Sequence, residues 1–150
     1  MVEPVDVDLI RPLRHEVLRP GLPEDSTRFR GDDHPLALHV AVRAVTAGRT
    51  DDVLSVGTVF PDPPPWEPGR TDAWRIRGMA TKGDFRGQGF GRRVLDALVA
   101  HAVRHGGTFV WCHARVGAID FYGHAGFVAI GGTFDDGVAI HQSMWRTLHA

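Results

Sequence analysis

Residues Asp84 to Leu98 read DFRGQGFGRRVLDAL. Glycine occupies every second position, Gly87, Gly89 and Gly91, and a long amphipathic pattern starts at once behind it. Glycine beside a helix is costly, because it has the most backbone freedom to lose on folding. Three at that spacing predict that something approaches the backbone closely. Behind them Val94, Leu95, Leu98, Val99, Ala102 and Val103 recur with helical spacing, forming one apolar stripe that Gly106 and Gly107 end.

A strand running into a glycine-rich turn and then a helix can hold phosphates. The first-turn N–H groups have no helical partners, and the helix dipole places partial positive charge there. Arg86 and Arg92 can add charge-assisted hydrogen bonds. Two common phosphate loops do not fit. A P-loop needs a Lys-Ser/Thr pair after its last glycine, where this chain has Arg92 and Arg93. The dinucleotide fingerprint needs G-x-G-x-x-G and an acid at the end of the next strand, where this chain reads WCHAR.

Working outward, WRIRGMAT (Trp74 to Thr81) reads as the strand that feeds the loop. Leu36 to Val45 and Val53 to Phe60 are β-rich runs separated by TAGRTDD, which predicts an antiparallel pair. Val7 to Leu18 has helical spacing, with Pro12 placing the start of its regular part near Arg11. The proline-rich PDPPPWEPGR, Pro61 to Arg70, reads as an exposed loop. Downstream come a strand at Thr108 to His113, a short helix over Val116 to His124, a strand FVAIGGTF and a last strand at Ile140 to Leu148. The strand–helix–strand unit at the centre predicts a right-handed crossover and two parallel strands. The class is α/β mixed.

The 150 residues fit one domain, and 43% hydrophobic with 23% charged residues is the balance of a globular protein. A net charge of −1 implies no general pull toward nucleic acid or anionic membrane. Cys112 is the single cysteine, so no intrachain disulfide can form and a reducing cytoplasm is the expected home. Neither a signal peptide nor an apolar run of about 20 residues is visible.

Arg86-Gly87-Gln88-Gly89-Phe90-Gly91 resembles the R/Q-x-x-G-x-G/A loop of the GNAT family of N-acetyltransferases. RGMAT before it is similar to that family's bulged strand, and Ala118 to Phe127 is similar to its A-x-x-x-Y-x-x-x-GF signature. DDGVAIHQSMWR resembles the tail of the small bacterial acetyltransferases, and the resemblance covers most of the chain. It implies a mixed sheet of six or seven strands with helices on both faces, and an acetyl-CoA cleft between two central parallel strands. The pyrophosphate would lie on the N–H groups of Gln88 to Arg92, and the pantetheine would pair with the backbone of Met79, Ala80 and Thr81. Where the family often carries an asparagine that contacts the cofactor stands Arg115, which could reach a CoA phosphate instead. The implied activity is acetyl transfer to a primary amine of a small molecule or peptide, by a monomer or homodimer needing no metal. An acyl-CoA-binding module without turnover is the competing class.

Acetyl transfer needs a neutral amine, although a free alkylammonium has a pKa of about 10.4. It also needs stabilisation of the oxyanion and protonation of the thiolate. By the resemblance, Tyr122, the only tyrosine, occupies the family's general-acid position, and the Ala80 N–H is its oxyanion donor. His141 is the first candidate base, since an imidazole with a pKa of about 6.5 suits proton acceptance near neutrality. His113, Glu16 or water are alternatives. Cys112 reads as a buried inert thiol. His101 and His105, without a third ligand, read as a solvated helix face. Trp74, Trp111 and Trp145 read as core or pocket walls. Asp32, Asp33, Asp135 and Asp136, in the variable acceptor loops, would suit a cationic amine such as a polyamine or aminoglycoside.

Overall fold

The computed structural model describes residues 1–46 and 49–149. In chain order they form β1 (Val2–Pro4), α1 (Val7–Leu18), β2 (Leu38–Thr46), β3 (Arg49–Pro61), β4 (Ala73–Thr81), α2 (Phe90–Arg104), β5 (Phe109–Arg115), α3 (Ile119–His124), β6 (Val128–Asp135) and β7 (Ile140–Thr147). The strands make one sheet in the order β1-β2-β3-β4-β5-β7-β6. Neighbours are antiparallel except β4 and β5, which run parallel. Among the described residues no helix is long and apolar enough to cross a membrane.

The two faces of the sheet are covered differently. Val94, Leu95, Leu98 and Ala102 of α2 are fully buried against Val40, Val42, Val59 and Ile76. Each Val or Leu there contributes about 1.5–3 kcal/mol of burial. On the other face, Ile10 and Leu13 of α1 pack on Ala41, Val56 and Ala80. Trp74 belongs to the α2-side core, whereas Trp111 lies on the opposite face under Trp66.

Several boundaries differ from expectation. Helix α1 begins at Val7, because the Asp6 carboxylate accepts the Asp8 N–H at 2.9 Å and caps it. Pro12 is tolerated inside because it is exposed and deprives only the solvent-facing Asp8 carbonyl of a donor. The strand β1 has no counterpart among the expected elements; three residues suffice because they add to the edge of β2. The first part of the short helix is a 3₁₀ turn, Val116–Ala118. The Ala47-Gly48 portion of the expected turn lies outside the described residues. The proline loop is not merely exposed: Trp66 packs edge-on to Trp111 at 5.7 Å, and the Asp62 carbonyl accepts the Trp111 indole N–H at 2.8 Å.

The Arg28 to Asp33 segment is fastened by Arg14, whose side chain is completely buried. Its guanidinium donates to both Asp32 carboxylate oxygens at 2.8 and 2.9 Å, to the Thr27 carbonyl at 2.9 Å and to Thr58 Oγ1 at 2.8 Å. Burial alone would raise the Asp32 pKa, but the bonds from Arg14 and the Phe29 N–H hold it below the usual carboxylate range. That contribution is therefore present above about pH 4, where an unfolded Asp is ionised, and is lost as pH falls through the lowered folded value. Arg14→Met leaves a buried carboxylate without its partner, and urea unfolding is expected to show a loss of about 3–5 kcal/mol. A wild-type midpoint for the variant would show that the pair contributes nothing.

Candidate active site

The site exists because β4 and β5 separate. They pair only through Ala73–Phe109, Trp74–Val110 and Arg75–Trp111. Beyond that point β4 stays on β3 and β5 stays on β7, so a gap opens between two strands that both continue. A bulge helps to bend β4 away. The β3–β4 register jumps from Val56–Ala80 to Thr58–Arg77, setting Gly78 and Met79 against Gly57 alone. Gly78 takes φ +68°, and a Cβ there would lie 2.9 Å from Arg14 Nε. The extra residue turns Met79 toward α2 and Ala80 toward α1.

A cavity of about 1040 Å³ fills the gap. One end is lined by the backbone of Gly78 to Thr81 and by Arg86, Gly87, Gly89, Phe90, Gly91 and Arg92. Gly89 caps α2 in the left-handed region, φ +84°, and nothing lies within 4 Å of where its Cβ would stand. Its carbonyl accepts the first helical N–H, that of Arg93, at 3.2 Å. The N–H groups of Phe90, Gly91 and Arg92 in the first turn therefore have no helical acceptor. Arg86 is exposed and has no ion pair among the described residues; Arg92 pairs with Asp96 at 3.0 Å. Gln88 is the one residue of the loop that does not line the cavity, and its amide reaches back to the Asp84 carbonyl at 3.5 Å.

Tyr122 projects from α3 into the middle of the cavity wall, 5% exposed, between Phe121 and Phe127 at ring distances of 5.1 and 5.3 Å. Its hydroxyl has no hydrogen-bond partner among the described residues. Burial, with the neighbouring Cys112, pushes its pKa well above the ordinary phenol value, so it remains a proton donor at neutral pH. Cys112 itself is 1% exposed, and burial pushes its thiol up as well, which makes it an inert core residue.

The far end of the cavity is lined by Arg19, Phe29, Arg75, Arg77, His113, Arg115, Phe134, Asp136 and His141. His141 Nδ1 donates to the Ala139 carbonyl at 3.1 Å, which leaves Nε2 of the neutral ring as the acceptor. Its ring stacks on Phe134 at 5.7 Å. Burial first, then the cations Arg115 and Arg19, lower its pKa against the opposing pull of Asp136 at 3.5 Å. His113, bonded to Ser143 Oγ at 2.9 Å, is lowered to about 4 by burial and by Arg75.

Other candidates named from the sequence are displaced. Glu16 is exposed on α1 and does not line the cavity, because α1 turns Ile10, Leu13 and Arg14 inward instead. Arg115 donates to the Leu18 carbonyl at 2.6 Å and ties the end of α1 to β5, a structural engagement that a reach for CoA phosphate would break. Asp32 is consumed by Arg14, and neither Asp33 nor Asp135 lines the cavity. His101 and His105 are not a plain solvated face: both rings lie against Trp74 at 5.6 and 5.9 Å, and His101 Nε2 bonds the Leu36 carbonyl at 2.9 Å. No third metal-ligating side chain joins them among the described residues. The cationic lining of the far end is not evident from the chain alone, although R-x-R in WRIRG places two of its arginines on one face of a strand.

Comparison with known proteins agrees with this architecture. An uncharacterised N-acetyltransferase of Bacillus subtilis, YitI, is 26% identical over 148 residues, covering 98% of this chain and 95% of its own. A GCN5-related N-acetyltransferase of Kribbella flavida superposes with a TM-score of 0.72 at 20% identity, over 99% of this chain and 97% of that one. An aminoglycoside 6'-N-acetyltransferase complexed with coenzyme A gives 0.72 at 14% identity, over 98% and 96%. Residues 8–127 match the acetyltransferase (GNAT) family itself, and the chain belongs to that family of acyltransferase enzymes.

Proposed function

We propose that the chain transfers an acetyl group from acetyl-CoA to a primary amine, with the thioester lying in the gap between β4 and β5. The observation that carries this reading is the gap itself, which joins a glycine-capped helix N-terminus at one end to the unpartnered hydroxyl of a mostly buried tyrosine in its wall. The pyrophosphate rests on the free N–H groups at the start of α2. The edge of β4 from Met79 to Thr81 offers the pantetheine a strand to pair with. An acetyltransferase that shares this fold is complexed with coenzyme A, which supports CoA as the ligand of this chain.

As the amine adds to the carbonyl carbon, a gap-facing backbone N–H of β4 stabilises the oxygen that becomes negative. It is not the Ala80 N–H expected from the resemblance. Ala80 pairs with Val56 in the same register in which Lys82, two residues on, donates to the Leu54 carbonyl at 2.8 Å, which turns the Ala80 N–H toward β3. His141 Nε2 takes the ammonium proton, directly or through one water. When the carbon–sulfur bond breaks, Tyr122 gives its proton to the thiolate. His113, held at about 4, stays neutral throughout and is the less basic of the two rings.

Calorimetry with CoA is expected to show micromolar binding, about −8 kcal/mol. Incubation with acetyl-CoA and a library of amines is expected to release free thiol. CoA binding with no thiol release from any amine would favour an acyl-CoA-binding module. The pH profile of kcat/KM tests the base. Because the His141 pKa is lowered, its neutral form persists below the ordinary value, and the acid limb is expected below about pH 6.5. His141→Ala is expected to remove that limb. A limb retained in His141→Ala and lost in His113→Ala would transfer the role.

A further inference from the structure

The far end of the cavity is a chamber of arginines. Of the ionisable residues there, four are guanidiniums, Arg19, Arg75, Arg77 and Arg115, against one carboxylate, Asp136. Asp136 is already engaged: its Oδ1 accepts the Val138 and Ala139 N–H groups, each at 2.9 Å. The arginines are poorly compensated. Arg77 lies over the Phe29 ring at 4.6 Å and has neither a hydrogen bond nor an ion pair among the described residues. Arg75 lies over Trp111 at 4.9 Å, its Nε is buried without a partner, and its nearest carboxylate, Asp62 at 3.9 Å, is claimed by Arg30 at 2.6 Å. Arg19 shares the Phe29 ring at 5.1 Å and donates, like Arg115, a single bond to the Leu18 carbonyl. Burial and mutual repulsion lower the pKa of Arg75 to about 10 and lower Arg77 as well.

Guanidiniums gathered without counter-ions cost stability, and each retains N–H donors in a fork that matches carboxylate or phosphate. We propose that the acceptor is an amine whose own molecule carries a carboxylate or phosphate, which Arg77 and Arg75 of β4 hold within the field of Arg19 and Arg115. This inference rests on the acetyltransferase reading. The same field assists the chemistry: surrounding cations disfavour the ammonium and so supply more of the neutral amine that attacks. A polyamine or aminoglycoside, which brings several positive charges, is excluded by that field, and the cationic acceptor expected from the loop aspartates is replaced.

The test uses the intact chain with acetyl-CoA and paired acceptors, reading thiol release. Each α-amino acid is set against its carboxamide, and phosphoethanolamine against ethanolamine, with spermidine as the polycation. The best anionic acceptor is expected to exceed its neutral partner about 100-fold in kcat/KM, a difference of two decades that two charge-assisted bonds can supply. The amino-acid and phosphoethanolamine arms distinguish carboxylate from phosphate. Arg77→Gln is expected to cut that ratio at least about tenfold, mainly through KM, and Arg77→Lys to restore part of it. A preference for neutral amines or spermidine, an absence of turnover with every anionic amine, or an unchanged ratio in Arg77→Gln would overturn the inference. CoA binding with turnover of neutral amines would leave the acetyltransferase reading standing, whereas absent CoA binding would remove that reading itself.

Discussion

Replacing Tyr122 by phenylalanine is expected to lower kcat about 10²–10⁴-fold, the usual contribution of general acid–base catalysis, with CoA affinity unchanged. The substitution removes one oxygen. The ring keeps its edge contacts with Phe121 and Phe127, and the hydroxyl leaves no orphaned partner, because it has none among the described residues. Stability should therefore hold, since a hydrogen bond that was never made cannot be lost. A fall confined to the chemical step would mark an interaction made only in the transition state. Calorimetry fixes the CoA affinity and single-turnover kinetics isolate the chemistry. Wild-type turnover in the variant, with chemistry shown to limit the rate, would reduce Tyr122 to a wall residue. The thiolate would then take its proton from water or from the departing ammonium.

The parts of this molecule that are legible in its sequence are those whose physics is local. The apolar stripe of α2 and the glycines before it specify a helix and its start within one stretch of chain, and the structure places Val94, Leu95, Leu98 and Ala102 in the core. Val7–Leu18 is legible for the same reason, but Pro12 suggests a later start, because its tolerance depends on which side of the helix faces water. Long-range partners are not legible. The loop aspartates look free in the sequence, yet Asp32 is taken by an arginine 18 positions earlier. Glu16 looks able to reach the pocket, but its fate follows from which face of α1 meets the sheet. The arginine chamber draws on α1, β4 and β5, elements far apart in the chain, and it becomes visible only once β4 and β5 part.

The helix N-terminus supplies the second large effect: Gly89→Asp is expected to weaken CoA binding more than about 100-fold, on the order of 3 kcal/mol. Two consequences of the substitution must be separated. Gly89 sits at φ +84°, where an L side chain is strained by roughly 1–2 kcal/mol, although aspartate accepts that region better than alanine does. The space itself is open, so no clash arises in the free protein. Strain alone therefore predicts that Gly89→Ala harms binding at least as much as Gly89→Asp. A phosphate at the free N–H groups predicts the reverse order, because the carboxylate adds repulsion at the place where the helix dipole had favoured an anion. Pantetheine provides the control. It lacks the pyrophosphate, so the wild-type protein should prefer CoA to it, and Gly89→Asp should erase most of that preference. If the wild-type protein bound CoA and pantetheine equally well, the loop would hold no phosphate, and the glycines would serve only to start α2.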